Sequence, residues 1–200
     1  MTTILLIRHA TNDTVGKILA GRMAGVHLNE EGKAQAQKLA QRLAHIKLNA
    51  IYSSPMERAL ETIEPLATRL KIKPVIDESF LELNIGEWIG KTYKEMEQDK
   101  IFGLFNTYRS GTRIPGGETM LEAQMRIVSG LQKLYIQHPD ETVAVVSHAD
   151  IIKAAVTYYA GIHIDLFQRI ESSPASVSII QMFDETVRLL LINDTGEIKV

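Results

Sequence analysis

Short apolar runs alternate with helix-periodic stretches along the chain, and their order predicts a layered α/β domain. Ile4-Leu5-Leu6-Ile7 is an unbroken apolar run, the pattern of a strand buried on both faces. Asn29-Glu30-Glu31-Gly32 opens a helix to about Ala44, with Ala36, Leu39, Ala40 and Leu43 on one face. Ala50-Ile51-Tyr52 predicts a second short strand. Ser54-Pro55 follows it, read as an N-cap with proline at the first helical position. That helix, to about Leu70, turns Ala59, Ile63, Leu66, Ala67 and Leu70 inward, and residues 73–76 predict a third strand.

From Asp77 to Gly117 the period weakens. A long connection with one or two short helices is expected there, around the only tryptophan, Trp88. Gly116-Gly117-Glu118-Thr119 leads into a helix to about Gln137. Residues 142–146 are the most β-like run, 150–159 are helical, and 176–183 with 187–192 form a hairpin around Asp184-Glu185-Thr186. No repeat, linker or low-complexity stretch interrupts this order. The expectation is a single domain over residues 1–200, a three-layer α/β/α sandwich whose mostly parallel central sheet is made mixed by the closing hairpin.

Composition narrows the chemistry. With 45% hydrophobic and 23% charged residues the chain can bury a core, and its net charge of −2 gives no footprint for nucleic acid or an anionic membrane. Any phosphate must therefore be held by a few local basic residues. The chain has no cysteine, so disulfides, thiolate metal sites and cysteine nucleophiles are excluded. The apolar start is too short for a signal peptide, and no run approaches the ~18 residues of a membrane helix. The expected location is the cytoplasm.

Three predicted strands end in polar, reactive residues: Arg8-His9, Ser53-Ser54 and Ser147-His148. Open α/β sheets bind ligands beyond the carboxyl ends of their strands. If the three are parallel neighbours, two histidines meet Arg8 and Arg58 at one rim. Arginine forks suit the equatorial oxygens of a phosphoryl group, and a neutral imidazole can attack phosphorus. A carboxylic acid is still needed to protonate the leaving oxygen. Glu82, beside Trp88 and aliphatic neighbours, is the best-placed candidate, with Glu78 and Glu87 as alternatives. Ser147-His148-Ala149-Asp150 is a poor chelate on its own, and no Walker loop is present. Neither a metal nor another cofactor is implied.

Five ordered blocks carry a family resemblance: Leu6-Ile7-Arg8-His9; Tyr52-Ser53-Ser54-Pro55-Met56-Glu57-Arg58-Ala59 with Thr62; residues 82–90 from Glu82 to Gly90; Pro115-Gly116-Gly117-Glu118; and Val145-Val146-Ser147-His148. Together they resemble the histidine phosphatase superfamily, of phosphoglycerate-mutase-like fold, from about Ile4 to Ile192. The resemblance implies that His9 is the phosphorylated nucleophile. It also implies that Arg8, Arg58 and His148 form the phosphate pocket and that Glu82 is the proton donor.

The departures lie on the substrate side. Ala10 and Ala149 stand where the family has glycine after each histidine, and Thr11-Asn12 replaces a glutamate–threonine pair. The stretch from His9 to Gly21 is one residue shorter than usual, so Asn12 or Thr14 substitutes for the family's phosphate-binding asparagine. Arg22 either recognises a substrate anion or is solvated. These features are similar to a bacterial branch labelled as phosphomutases by similarity. Alanine resists positive φ at a cost of about 1–2 kcal/mol. Ala10 and Ala149 are therefore expected at negative φ, with their N–H groups facing the phosphate.

Three readings follow: a phosphatase for a small phosphorylated metabolite, a mutase returning the phosphoryl group to a bound intermediate, and an idle binding module. Two hundred residues leave little room for a closing lid, which favours water as acceptor. The partner expected is the metabolite, not nucleic acid or membrane, and a homodimer is allowed.

Overall fold

The structure, a computed structural model, describes residues 1–196. Six strands form one sheet: β1 (Thr2–Arg8), β2 (Ala50–Ser53), β3 (Val75–Ile76), β4 (Thr142–Ser147), β5 (Val177–Met182) and β6 (Val187–Asp194). Their order is β3-β2-β4-β1-β5-β6. The first four in this order are parallel; β5 runs antiparallel to β1, and β6 antiparallel to β5, as the terminal hairpin predicts.

The apolar run of β1 is continuous because helices cover both faces of the sheet. Leu5 and Ile7 pack with α1 (Glu30–Leu43) and α2 (Glu57–Leu70), through Leu39, Leu43, Ile63 and Leu66. Ile4 and Leu6 face the other layer, where α5 (Met120–Gln137) and α6 (Ala149–Ala160) contribute Ile127, Leu131, Ile151 and Ala155. Alternate residues of one strand thus serve two cores. Among the described residues, no helix is long and apolar enough to cross a membrane.

Two local expectations are corrected. The helix after β2 starts at Glu57, with Met56 as N-cap and no side-chain cap bond. The Ser54 hydroxyl, expected to cap it, is turned to His148. The third strand is only two residues long. The weakly patterned stretch after it folds as 3-10 turns at Glu78–Phe80 and Gly86–Trp88, α3 (Tyr93–Met96) and α4 (Lys100–Thr107). Local caps start these helices: Thr92 and Glu95 form a capping box for α3, and the Asp99 carboxylate accepts from Ile101 and Phe102 N–H for α4.

Trp88 anchors this segment. It is 2% exposed and meets the Phe102 and Phe105 rings edge-on at 5.3 and 5.5 Å. Gly86, at φ 48°, lies against the Pro115 carbonyl where no Cβ fits, which fixes the approach of the two turns. Trp88→Ala is expected to cost about 3–5 kcal/mol in urea unfolding. It should also open residues 77–117 to limited proteolysis before the sheet. Loss of both together, with no early cleavage, would show that the segment is not separately anchored.

Candidate active site

In-register pairing sets the site. Arg8 pairs with Ser147, and Ser53 with Val146, so β1, β4 and β2 end within one residue of one another. The ladder continues one residue further, His9 N–H donating to the Ser147 carbonyl and Ser54 N–H to that of Val146, each at 2.9 Å. His9, Ser54 and His148 therefore emerge at one rim, the two imidazole centroids 5.2 Å apart. A cleft of about 160 Å³ opens there, lined in part by Arg8, His9, Arg58, Glu82, Tyr93 and Asp150.

His9 Nδ1 lies 2.8 Å from the Ala10 carbonyl. A carbonyl only accepts, so Nδ1 carries the proton and Nε2 keeps its lone pair. Burial, then Arg58 and Arg8, hold the ring's pKa down to about 3. The imidazole is thus neutral across ordinary pH. His148 is also depressed well below its usual value, first by burial and then by His9, Arg58 and Arg8. Its Nε2 lies 2.8 Å from Ser54 Oγ, and its Nδ1, without a hydrogen bond among the described residues, sits 3.6 Å from Glu82 Oε2. Ser54 Oγ also accepts from Met56 N–H at 3.4 Å, and the direction of its bond to Nε2 follows the tautomer of the ring. A neutral ring 3.6 Å from Glu82 makes no ion pair.

Arg58 is buried and Arg8 half-buried, and among the described residues each keeps a guanidinium nitrogen without a partner. Arg58 Nη2 donates to the Gly21 carbonyl at 2.7 Å while Nη1 has no partner. Arg8 Nη1 donates to the Ser172 carbonyl at 2.5 Å while Nε has none. Asn12 accepts the Thr14 N–H and hydroxyl on Oδ1, at 3.0 and 2.6 Å, so only its Nδ2 remains for the cleft. Glu82 Oε1 accepts Leu83 N–H at 2.8 Å. Its pKa is pushed up to about 7, by burial first and Asp150 next, against the opposite pull of Arg58 and Arg8.

Arg22 stands elsewhere than expected. It lies outside the cleft lining, its Nε donating to the Glu82 carbonyl at 2.7 Å and its Nη2 to Glu118 Oε1 at 3.0 Å. The same Glu118 oxygen receives Asn84 N–H and Arg126 Nη2. Arg126 Nη1 gathers the carbonyls of Ser79 and Leu81 at 3.1 and 2.8 Å. Arg22, Glu118 and Arg126 therefore clamp the backbone that carries Glu82. Sequence reasoning did not single out Arg126, Tyr93 or Asp150 for the site. Asp150 was in reach, one residue past Ala149, but the other two sit where the sequence gives no local sign.

Ala10 and Ala149 both avoid positive φ, as expected. The second half of that expectation fails for Ala10, whose N–H donates to Thr62 Oγ1 at 2.8 Å. Thr62 in turn donates to the Arg58 carbonyl at 2.6 Å, tying the turn after β1 to α2. Ala149, the first residue of α6 and part of the cleft lining, has one of the helix's unclaimed N–H groups.

A family model described as Histidine phosphatase superfamily (branch 1) matches residues 4–195. Phosphoserine phosphatase 1 of Hydrogenobacter thermophilus is 28% identical over 200 residues, 98% of this chain and 93% of that one. The 2,3-bisphosphoglycerate-dependent phosphoglycerate mutase of Thermoplasma acidophilum is 28% identical over 163 residues, 80% of this chain and 76% of that one. Among solved structures, Bacillus stearothermophilus YhfR superposes with a TM-score of 0.90 at 29% identity, covering 97% of this chain and 98% of that one.

The shift of His9 has a consequence for stability. Unfolded, its imidazole takes a proton near pH 6.5; folded, only near about 3. The unfolded chain binds more protons between these values, so stability present above pH 6.5 is lost as the pH falls toward 3. Glu82, raised to about 7, works the other way and loses stability as the pH rises from 4.5 to 7. Comparison with His9→Gln isolates the first effect. Between pH 6.5 and 5 the wild type should lose about 2 kcal/mol relative to that variant in chemical unfolding. A constant difference would mean that burial does not hold His9 neutral.

Proposed function

The chain belongs to the histidine phosphatase superfamily, and on that footing we propose that it hydrolyses a small-metabolite phosphomonoester through a phosphohistidine on His9. The observation that carries this reading is the protonation of His9. With Nδ1–H fixed on the Ala10 carbonyl, the Nε2 lone pair is left for a cleft that also presents Arg8 and Arg58.

In the first step His9 Nε2 attacks phosphorus as the P–O ester bond breaks. Glu82, protonated near neutrality, gives its proton to the departing alcohol oxygen. The free guanidinium N–H groups of Arg8 and Arg58, the Ala149 N–H and His148 take up the charge on the equatorial oxygens. In the second step Glu82, now a carboxylate, accepts a proton from water as water attacks phosphorus. The P–N bond breaks, phosphate leaves, and both residues return to their starting states. The similarity to a named phosphoglycerate mutase supports a second reading, in which a bound hydroxyl replaces that water.

We also read the enzyme as metal-independent and cytoplasmic. Arginines supply the positive charge at the phosphoryl group that carboxylate-bound cations supply in other phosphatases. A phosphorylated metabolite does not cross membranes unaided, so an enzyme that acts on one made inside the cell must itself lie inside.

Enzyme quenched in alkaline denaturant should carry acid-labile, base-stable phosphate that is absent from His9→Ala; label on that variant would remove His9 from the scheme. Glu82→Gln should slow phosphorylation by a sugar or glycerate phosphate about 10²–10⁴-fold while p-nitrophenyl phosphate keeps much of its rate. In the wild type the alkyl ester's first step should fall as the pH rises through about 7. Equal losses on both esters would make Glu82 merely positional. Turnover should survive prolonged chelation; loss with recovery on added Mg²⁺ or Zn²⁺ would overturn the metal-free scheme. Adding phosphate acceptors during turnover separates the two readings, since a mutase transfers label to the acceptor and a phosphatase releases it.

A further inference from the structure

One of the five sequence blocks lends nothing to the cleft. Pro115-Gly116-Gly117-Glu118 is not part of its lining, yet it is bonded to the segment that carries Glu82. Glu118 N–H donates to the Asn84 carbonyl at 3.0 Å, and Glu87 N–H to the Pro115 carbonyl at 2.9 Å. The Glu118 side chain then gathers three donors on a single atom. Its Oε1 accepts Asn84 N–H at 2.7 Å, Arg126 Nη2 at 2.9 Å and Arg22 Nη2 at 3.0 Å. Its Oε2 takes no hydrogen bond among the described residues.

Glu82 needs support from outside its own segment. Residues 81–85 lie in neither helix nor strand. The one hydrogen bond of the Glu82 carboxyl goes to the neighbouring Leu83 N–H and moves with the backbone, so the proton lies where the backbone puts it. Side chains from elsewhere hold four successive carbonyls here. Arg126 Nη1 donates to those of Ser79 and Leu81 at 3.1 and 2.8 Å, Ser147 Oγ to that of Phe80 at 2.8 Å, and Arg22 Nε to that of Glu82 at 2.7 Å. A long arginine side chain fixes a carbonyl only if its own guanidinium is fixed. Arg22 precedes α1 and Arg126 lies on α5, and Glu118 Oε1 is the point where the two meet. Proton transfer tolerates little displacement, since a shift of about 1 Å can cost about 100-fold in rate.

We propose that Glu118 is a positioning residue for proton transfer: by locking Arg22 and Arg126 on one oxygen, it sets the backbone from which Glu82 protonates the leaving group. The proposal rests on the reading of Glu82 as the acid and adds to it a residue that never meets the substrate. Loss of a residue that only stabilises the fold slows every ester alike. Loss of Glu118 should matter in proportion to the leaving group's need for a proton.

Phenyl phosphate and p-nitrophenyl phosphate test this, because they share a ring and phenolate is much the stronger base. Their kcat/KM values report phosphorylation of the enzyme, not the later attack of water. Glu118→Ala should raise the p-nitrophenyl-to-phenyl ratio of kcat/KM about 10-fold or more over the wild type. Glu118→Gln keeps an acceptor oxygen and places its amide at the unused Oε2 position, so it should restore most of the wild-type ratio. Arg126→Lys keeps the charge on α5 but cannot span two carbonyls and Glu118 together, and should also raise the ratio. That variant carries the test if Glu118→Ala does not fold. In a Glu82→Gln background, where the acid is already lost, Glu118→Ala should change the ratio no further. An unchanged ratio, an equal loss on both esters, or an effect that adds to that of Glu82→Gln overturns the proposal. If Glu82→Gln raises the ratio and Glu118→Ala does not, the positioning role falls and the phosphatase reading stands. If Glu82→Gln itself leaves the ratio unchanged, the acid role of Glu82 falls and takes that of Glu118 with it.

Discussion

In-register pairing of β1 with β4, and of β4 with β2, sets Arg8 opposite Ser147 and Ser53 opposite Val146, and the chain turns away from the sheet immediately beyond these ends. Each turn then delivers one imidazole or one hydroxyl to the same rim. A slip of one residue in any of these pairings would reverse the faces of that strand, sending its core residues to the wrong layer. The burial of Ile4 through Ile7 on two sides therefore guards the position of His9 as strictly as any local contact does.

The rim then works by setting burial against charge. Taking His9 and His148 out of water favours their neutral forms, and the two arginines push in the same direction. Glu82 receives opposite instructions: burial and Asp150 favour its acid form, Arg58 and Arg8 its carboxylate. The result near neutrality is a group able to give a proton and take it back. This balance depends on where the Glu82 backbone is held. Arg22, Glu118 and Arg126 hold it through carbonyls and one shared carboxylate oxygen, without touching the cleft.

What the sequence discloses follows from how local the signals are. The buried strand, the long helices α1, α2 and α5 and the terminal hairpin each carry a signal within their own residues, and their bounds are met within a few positions. His9, Arg8 and His148 were legible because a strand end is itself a local feature. The Ser54 hydroxyl was read as a helix cap because that role is local; its real partner, His148, is 94 positions away. Arg22 reads locally as either an anion binder or a solvated side chain, because its partner Glu118 is 96 positions away. The Ala10 N–H was assigned to the substrate because nothing near it in sequence announces Thr62. Residues 77–117 defeated periodicity because their order comes from Trp88 and a set of caps, not from a repeating face.

The place of β1 in the sheet also sets an order in time. Ile7 pairs with Val146, 139 positions further along the chain, and with Val177, 170 positions along. At roughly 5–20 residues per second, a ribosome needs on the order of ten to thirty seconds to make the second of these partners. For most of that interval the first strand, apolar on both faces, waits without either neighbour. The strand that carries His9 thus waits for partners made long after it, and the rim cannot assemble until β4 has been made.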